Sequence, residues 1–344
     1  MLKRTLALAG LALAAGILLA ADFPQAQITN GQISARVALP DPHKGYYRGT
    51  RFDWSGVILS LEYKGHNYYG PWFEKTDPKV RDFVYDGPGI VAGLSSAITG
   101  PAEEFSTNNR GLGYDEAKAG GTFIKIGVGV LRKPEAGNYN NYNLYEIVDP
   151  GKRTVKRNSD SIQFTQEVTD PSSGYAYVYR KTVRLTKGKP EMVLEHSLKN
   201  TGKRTIQSST YNHNFLVLDK QPTGPDFVIT FPFQIKTSAP PNKDLAEIRG
   251  NQIVFLKTLQ GQDRLMTTVQ GFGNEPKDYD IRIENSKVGA GMRITCDRPL
   301  LREALWAIRP VFSVEPFIDM TIEPGSEFTW KISYEYYTLP AKGN

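Results

Sequence analysis

Leu194-Glu195-His196-Ser197-Leu198-Lys199-Asn200-Thr201-Gly202-Lys203, followed by Thr210-Tyr211-Asn212-His213-Asn214-Phe215, is the stretch from which the fold of this 344-residue chain is read. Met192 to His196 alternates with a period of two. Asn200-Thr201-Gly202 then supplies a turn, and the chain returns as a second strand that runs into Phe215-Leu216-Val217-Leu218. Alternation broken by Asn and Gly is the mark of paired antiparallel strands. The second strand carries a histidine between two asparagines, a position suited to moving protons.

The same pattern recurs along the chain. Val57 to Tyr63, Ile162 to Thr165, Tyr175 to Tyr179, Phe227 to Phe231, Ile253 to Leu256 and Trp330 to Tyr336 all read as short strands. Turns separate them at Asp170-Pro171-Ser172-Ser173-Gly174, Lys187-Gly188-Lys189-Pro190 and Pro324-Gly325-Ser326. Helical periodicity is nearly absent beyond the N-terminal segment, so the expectation is an all-β chain built as a large antiparallel β-sandwich. No break in composition divides residues 22–344, which read as a single domain. The loop-rich region from Asp77 to Asn143 is expected to lie over one face of the sandwich and to carry function.

Residues 1–21 read as a secretory signal peptide: Lys3 and Arg4, an apolar run from Leu6 to Leu19, then Ala20-Ala21. The expected destination is the periplasm or the extracellular space, with no membrane attachment after cleavage. The single cysteine, Cys296, excludes a disulfide framework and a zinc site of several thiolates. Its alternating strand gives it the role of a small buried hydrophobe. The formal net charge is +6, or +4 once Lys3 and Arg4 are removed. No Lys/Arg block with interleaved aromatics is present, so nucleic acid is not expected as a partner.

The run Leu194 to Lys203, with Thr210 to Phe215 after it, resembles the central motif of the aldose 1-epimerases (galactose mutarotases). Ser313-Val314-Glu315-Pro316-Phe317 and Ile322-Glu323-Pro324-Gly325-Ser326-Glu327-Phe328 are similar to that family's closing pattern. The resemblance implies the family's β-sandwich and an activity that interconverts the anomers of a sugar without metal or cofactor. It implies His213 as general acid and Glu315 as general base. The chemistry needs such a pair, because one proton leaves the C1 hydroxyl while another reaches the ring oxygen. Carboxylates near pKa 4.3 and imidazoles near about 6.5 serve these roles. The family also brings a second histidine from an upstream Gly-rich segment. The nearest match, Gly120 to Gly127, has none, leaving Lys125 as the candidate cation there, against an ordinary outward-facing strand lysine. Arg110, after Asn108-Asn109, is the candidate for holding sugar hydroxyls.

Further substrate contacts are expected from Asn212, Asn214 and Tyr142, the last in an Asn-rich loop with Tyr139 and Tyr145. Trp54, Tyr68, Tyr69, Trp72 and Phe73 form an aromatic cluster that is either core or a stacking surface for sugar faces. His196 reads as core or surface, and His43 and His66 as solvated. Asp278-Tyr279-Asp280 reads as a solvated edge or a Ca²⁺ site. The expected partner is a mono- or oligosaccharide. Two other functions stay open on the same fold. One is a non-catalytic glycan-binding protein. The other is a polysaccharide lyase or hydrolase in which Lys125 or Arg110 neutralises a uronate.

Overall fold

The computed structural model describes residues 23–340, so the leader assigned to residues 1–21 lies outside the described residues. Two antiparallel sheets dominate. One has five strands in the spatial order Leu265–Val269, Arg302–Ile308, Val311–Ile322, Ile206–Phe215 and Gly100–Ser106. The other has ten, from Lys152–Arg157 at one edge, through Tyr175–Leu185, Glu191–Asn200 and Glu327–Thr338, to Ala246–Arg249 at the other. The all-β antiparallel sandwich is therefore observed. The strands read from alternation are present, several of them longer than the signal: Tyr175 to Tyr179 extends to Leu185.

Period-two alternation assigns each side chain to a layer. Along Ile206–Phe215, the residues Ile206, Ser208, Thr210, Asn212 and Asn214 face the ten-stranded sheet. Tyr211, His213 and Phe215 face outward, yet they too are buried. Their cover comes from the first third of the chain. Phe52, Trp54, Trp72, Phe123 and Val128 pack with Phe215 and Trp306 into a second apolar cluster on that outer face. Part of the Asp77–Asn143 region therefore lies over this face, while its strand Gly100–Ser106 belongs to the five-stranded sheet itself, and the region is more regular than its composition indicates. It contains the strands Phe83–Asp86, Gly89–Ala92, Gly100–Ser106, Thr122–Lys125 and Gly129–Arg132.

Two local devices fix this geometry. Asn200 builds its own turn: Oδ1 accepts the Gly202 N–H at 3.0 Å, while Nδ2 donates to the carbonyls of Arg204 at 2.7 Å and Ile322 at 2.8 Å. The Asn-Thr-Gly motif thus clamps the turn to the end of the strand that carries Glu315. Gly100, at φ +70°, opens the strand that carries Glu103 and Glu104. A Cβ there would lie 2.8 Å from the backbone oxygen of Ile58, so a side chain is excluded sterically as well as conformationally.

Glu303, on the strand Arg302–Ile308 of the five-stranded sheet, is a buried acid without a partner. Both carboxylate oxygens of Glu303 are buried without a hydrogen bond, and burial raises its pKa well above the ordinary 4.5. A carboxyl raised on folding contributes full stability below about pH 4.5, and that contribution is lost as the pH climbs toward the folded value. Glu303→Gln is expected to change little near about pH 5 and to stabilise by roughly 1–3 kcal/mol near about pH 8. Denaturant midpoints at the two pH values check this, and equal shifts at both would refute it.

Candidate active site

The outward face of the five-stranded sheet brings together the two residues that sequence reading offered as candidate acid and base. Ser209 pairs with Asp319 and Tyr211 with Phe317, so the same register carried two residues further sets His213 beside Glu315. Their side chains meet, His213 Nε2 lying 3.1 Å from Glu315 Oε1. The imidazole is stacked on Phe215 with a centroid separation of 3.8 Å and a 7° interplanar angle, and Trp306 meets it edge-on at 5.4 Å. Phe215 is in turn stacked on Trp72 at 5.6 Å. An aromatic stack on one strand holds the ring in a single orientation.

Arg51 supplies the site's cation. Its Nε donates to Glu104 Oε2 at 2.8 Å and its Nη2 to the Tyr211 hydroxyl at 3.0 Å. The guanidinium lies 4.4 Å from the Phe52 ring centroid and 5.0 Å from that of Tyr142. Glu104 also accepts from Tyr211 at 2.7 Å and from Lys125 Nζ at 3.1 Å. This carboxylate is the pin of the cluster. Burial opposes its charge, but Lys125 and Arg51 outweigh that effect and hold its pKa down at about 2.

Arg51, Tyr142, Trp306, His213 and Glu315 line one cavity of about 90 Å³. Ordinary small-molecule pockets hold about 300–1,000 Å³, so admitting a sugar ring requires part of the wall to move. The lining also includes Tyr142, Asp82, Ser96 and Arg264, which belong to loops rather than to the sheet. Burial also sets the titration of the pair. It pushes Glu315 up to about 7, with Arg51 pulling back. It holds His213 well below 6.5, and the Arg51 charge adds to that effect. His213 Nδ1 is buried with no partner.

No protein-family model matches the sequence, and no curated protein does. Solved structures do match. A galactose mutarotase related enzyme from Lactobacillus acidophilus aligns over 93% of this chain and 99% of its own, with TM-score 0.54 and 13% identity. The GalM/aldose epimerase homologue from C. elegans aligns over 92% and 99%, with TM-score 0.53 and 13% identity. A galactose mutarotase-like protein from Clostridium acetobutylicum aligns over 91% and 95%, with TM-score 0.52 and 10% identity. The chain has the galactose mutarotase-like fold.

Within that mutarotase-like fold the other sequence-derived contacts scatter. Tyr142 reaches the cavity, as expected. Arg110 does not line it: the side chain is exposed and ion-paired with Asp115 in its own loop. Lys125 is neither outward-facing nor free, being 1% exposed and held by Glu104. Asn212 and Asn214 point the opposite way from His213, into the sandwich. There Asn212 Nδ2 donates to the Tyr334 hydroxyl at 3.0 Å and Asn214 Nδ2 to the Val314 carbonyl at 2.9 Å. Alternation dictates this, since neighbours of an outward residue must face inward.

Tyr145 is core rather than a ligand contact, stacked on Tyr139 at 5.5 Å in the second apolar cluster. His196 is core, with Nε2 2.9 Å from Glu103 Oε1. His66 is paired with Asp219 at 2.7 Å rather than solvated. Asp280 binds Arg293 through two 2.7 Å hydrogen bonds, and Asp278 accepts the Gly273 N–H at 2.6 Å, so neither acid is an open solvated edge. Cys296 is buried, with its thiol pushed up to about 12 by desolvation.

Sequence reading missed Arg51, Glu104, Tyr211 and Trp306; Trp72, offered there as core or as a stacking surface, does line the cavity. One signal was available for Glu104. In Ala102-Glu103-Glu104-Phe105 a strand carries consecutive acids, and period two sends one to each face, so both faces must hold a counter-charge.

Proposed function

We propose that the protein interconverts the anomers of a sugar, with Glu315 and His213 acting as one proton-sharing pair. The observation that supports this most is the 3.1 Å contact between the two side chains at a cavity that also contains Arg51. Anomer exchange needs a proton taken from the C1 hydroxyl and another delivered to the ring oxygen, after which the C1–O5 bond breaks. Rotation about C1–C2 and reversal of both transfers close the other anomer. The two oxygens share one carbon, so two catalytic groups in mutual contact can reach both. Arg51 offers donors to the sugar hydroxyls, the role sequence reading gave to Arg110, and Trp306 presents an apolar wall.

The pair works with one proton on it. The aromatic surroundings disfavour charge on both partners, so before the sugar binds, that proton rests on Glu315 facing a neutral His213. Moving it along the 3.1 Å contact interchanges the acid and base roles, and the acid and base implied by resemblance become two states of one dyad. Lys125 and Arg110, the cations that sequence reading offered to a uronate lyase, do not line the cavity, whereas Arg51 and Arg264 do. The reading of residues 1–21 adds export to the proposal; detection of the processed chain in a periplasmic or extracellular fraction tests it.

The pH profile follows with its sign. Glu315 keeps its proton up to about 7, so the acid is lost as the pH rises through that value. His213, held well below 6.5, takes a second proton only in more acidic solution. The enzymatic rate is expected to be level from below about pH 6 and to fall above about pH 7. Exchange NMR between the α and β anomer signals, corrected for the uncatalysed rate, measures this. A catalysed rate that rises through pH 7 would sink the proton-sharing pair.

A further inference from the structure

The outward face of the five-stranded sheet continues beyond the dyad. Successive outward positions place His213 with Glu315, then Tyr211 with Phe317, then Ser209 with Asp319, then Gln207 with Thr321. The last two rows, with Ser106, Asn108 and Asn109 from the neighbouring strand end and turn, open into a cleft of about 620 Å³, against about 90 Å³ at the dyad. We propose that this cleft binds the continuation of a glycan chain whose reducing-end unit lies at His213 and Glu315, so that the substrate class is a reducing oligosaccharide.

The proposal rests on the reading of the dyad as a sugar site and adds the substrate's length. Four residues along a strand, from Glu315 to Asp319, span about 13 Å, roughly two to three linked pyranose rings. The cleft is within the ordinary range for small-molecule sites. Its lining is mostly hydroxyl and amide groups, which offer both donors and acceptors to vicinal hydroxyls. It has no basic run to follow a phosphate backbone and no broad apolar floor to seat a helix.

Arg302 lies between the two spaces. Its guanidinium lies over Phe317 at 3.8 Å, in the row between the dyad and the cleft. Among the described residues, neither Arg302 nor Asp319 has a salt-bridge partner within 4.0 Å. Leu301, half exposed, gives the cleft an apolar edge for a ring face.

The test titrates the protein with reducing oligosaccharides of one to six units from each of cellulose, xylan, mannan and galactan. In at least one series, affinity is expected to rise about 10-fold or more from the monosaccharide to the tetrasaccharide. Ser209→Trp, which fills the cleft floor, is expected to abolish that gain. The double variant Asn109→Ala with Asp319→Ala, at exposed positions, serves if Ser209→Trp fails to fold, and a thermal melt checks each protein. Affinity independent of length in every series, or a length gain that survives these variants, overturns the proposal.

The two readings fail separately. Length-dependent binding with no anomer exchange by the wild-type protein removes the dyad chemistry and keeps the cleft. Exchange on a monosaccharide with no dependence on length removes the cleft and keeps the dyad.

Discussion

Glu315→Gln is expected to slow anomer exchange by about 10²–10⁴-fold, the range for removing one acid–base group, while the bound sugar stays in place. Glutamine matches glutamate in size and can stay beside His213, but it cannot carry a proton to or from a sugar oxygen. His213→Asn is expected to cost a similar factor, because the dyad needs both a donor and an acceptor. The double variant is expected to lose scarcely more than either single one, since the two groups act as one unit. Exchange NMR gives the rates, and titration with the same sugar gives the affinity. Single variants with wild-type rates would end the epimerase reading. Multiplicative losses in the double variant would instead mean two independent groups, in conflict with the 3.1 Å contact.

The parts of this site that were legible in the sequence are those carried by strand order and alternation. His213 and Glu315 each lie on a strand beside a turn motif, and the register between those strands brings them together. Alternation, however, assigns a face only relative to a neighbour. Asn212 and Asn214 drew attention because they flank His213, yet that adjacency commits them to the core. Arg51 and Arg110 show the other limit. Both are arginines in irregular segments, and local sequence gives no basis for choosing between them. Arg51 is selected by Glu104, a partner 53 residues away, and by Tyr211, 160 residues away. Lys125 was placed on the correct strand, but its charge is answered by the same distant Glu104. Contacts of this range depend on how the first third of the chain is laid over the five-stranded sheet.

Glu103→Ala is expected to be the most destabilising single change in the core. Glu103 faces inward, where Lys181 Nζ binds Oε2, while His196 Nε2 at 2.9 Å and Asn212 Nδ2 at 3.2 Å contact Oε1. All four side chains are buried. Burial opposes the Glu103 charge, but Lys181 and His196 outweigh it and hold the pKa at about 2. Alanine leaves a buried lysine whose other carboxylate, Asp53, is 3.8 Å away. Breaking a buried pair from one side costs about 3–5 kcal/mol, which lowers the melting temperature by about 5–15 °C in a chain of this size. The sign of the pH dependence is set by the depressed pKa. Glu103 contributes its stability above about 4.5, and loses it as the pH falls toward about 2, so the gap between wild type and variant should close over that interval. Removing the whole knot tests the argument from the other side. Glu103→Leu combined with Lys181→Met and His196→Phe leaves no stranded charge and is expected to recover most of the loss. If the triple variant is as unstable as Glu103→Ala, then packing around position 103, rather than the unpaired charge, accounts for the destabilisation.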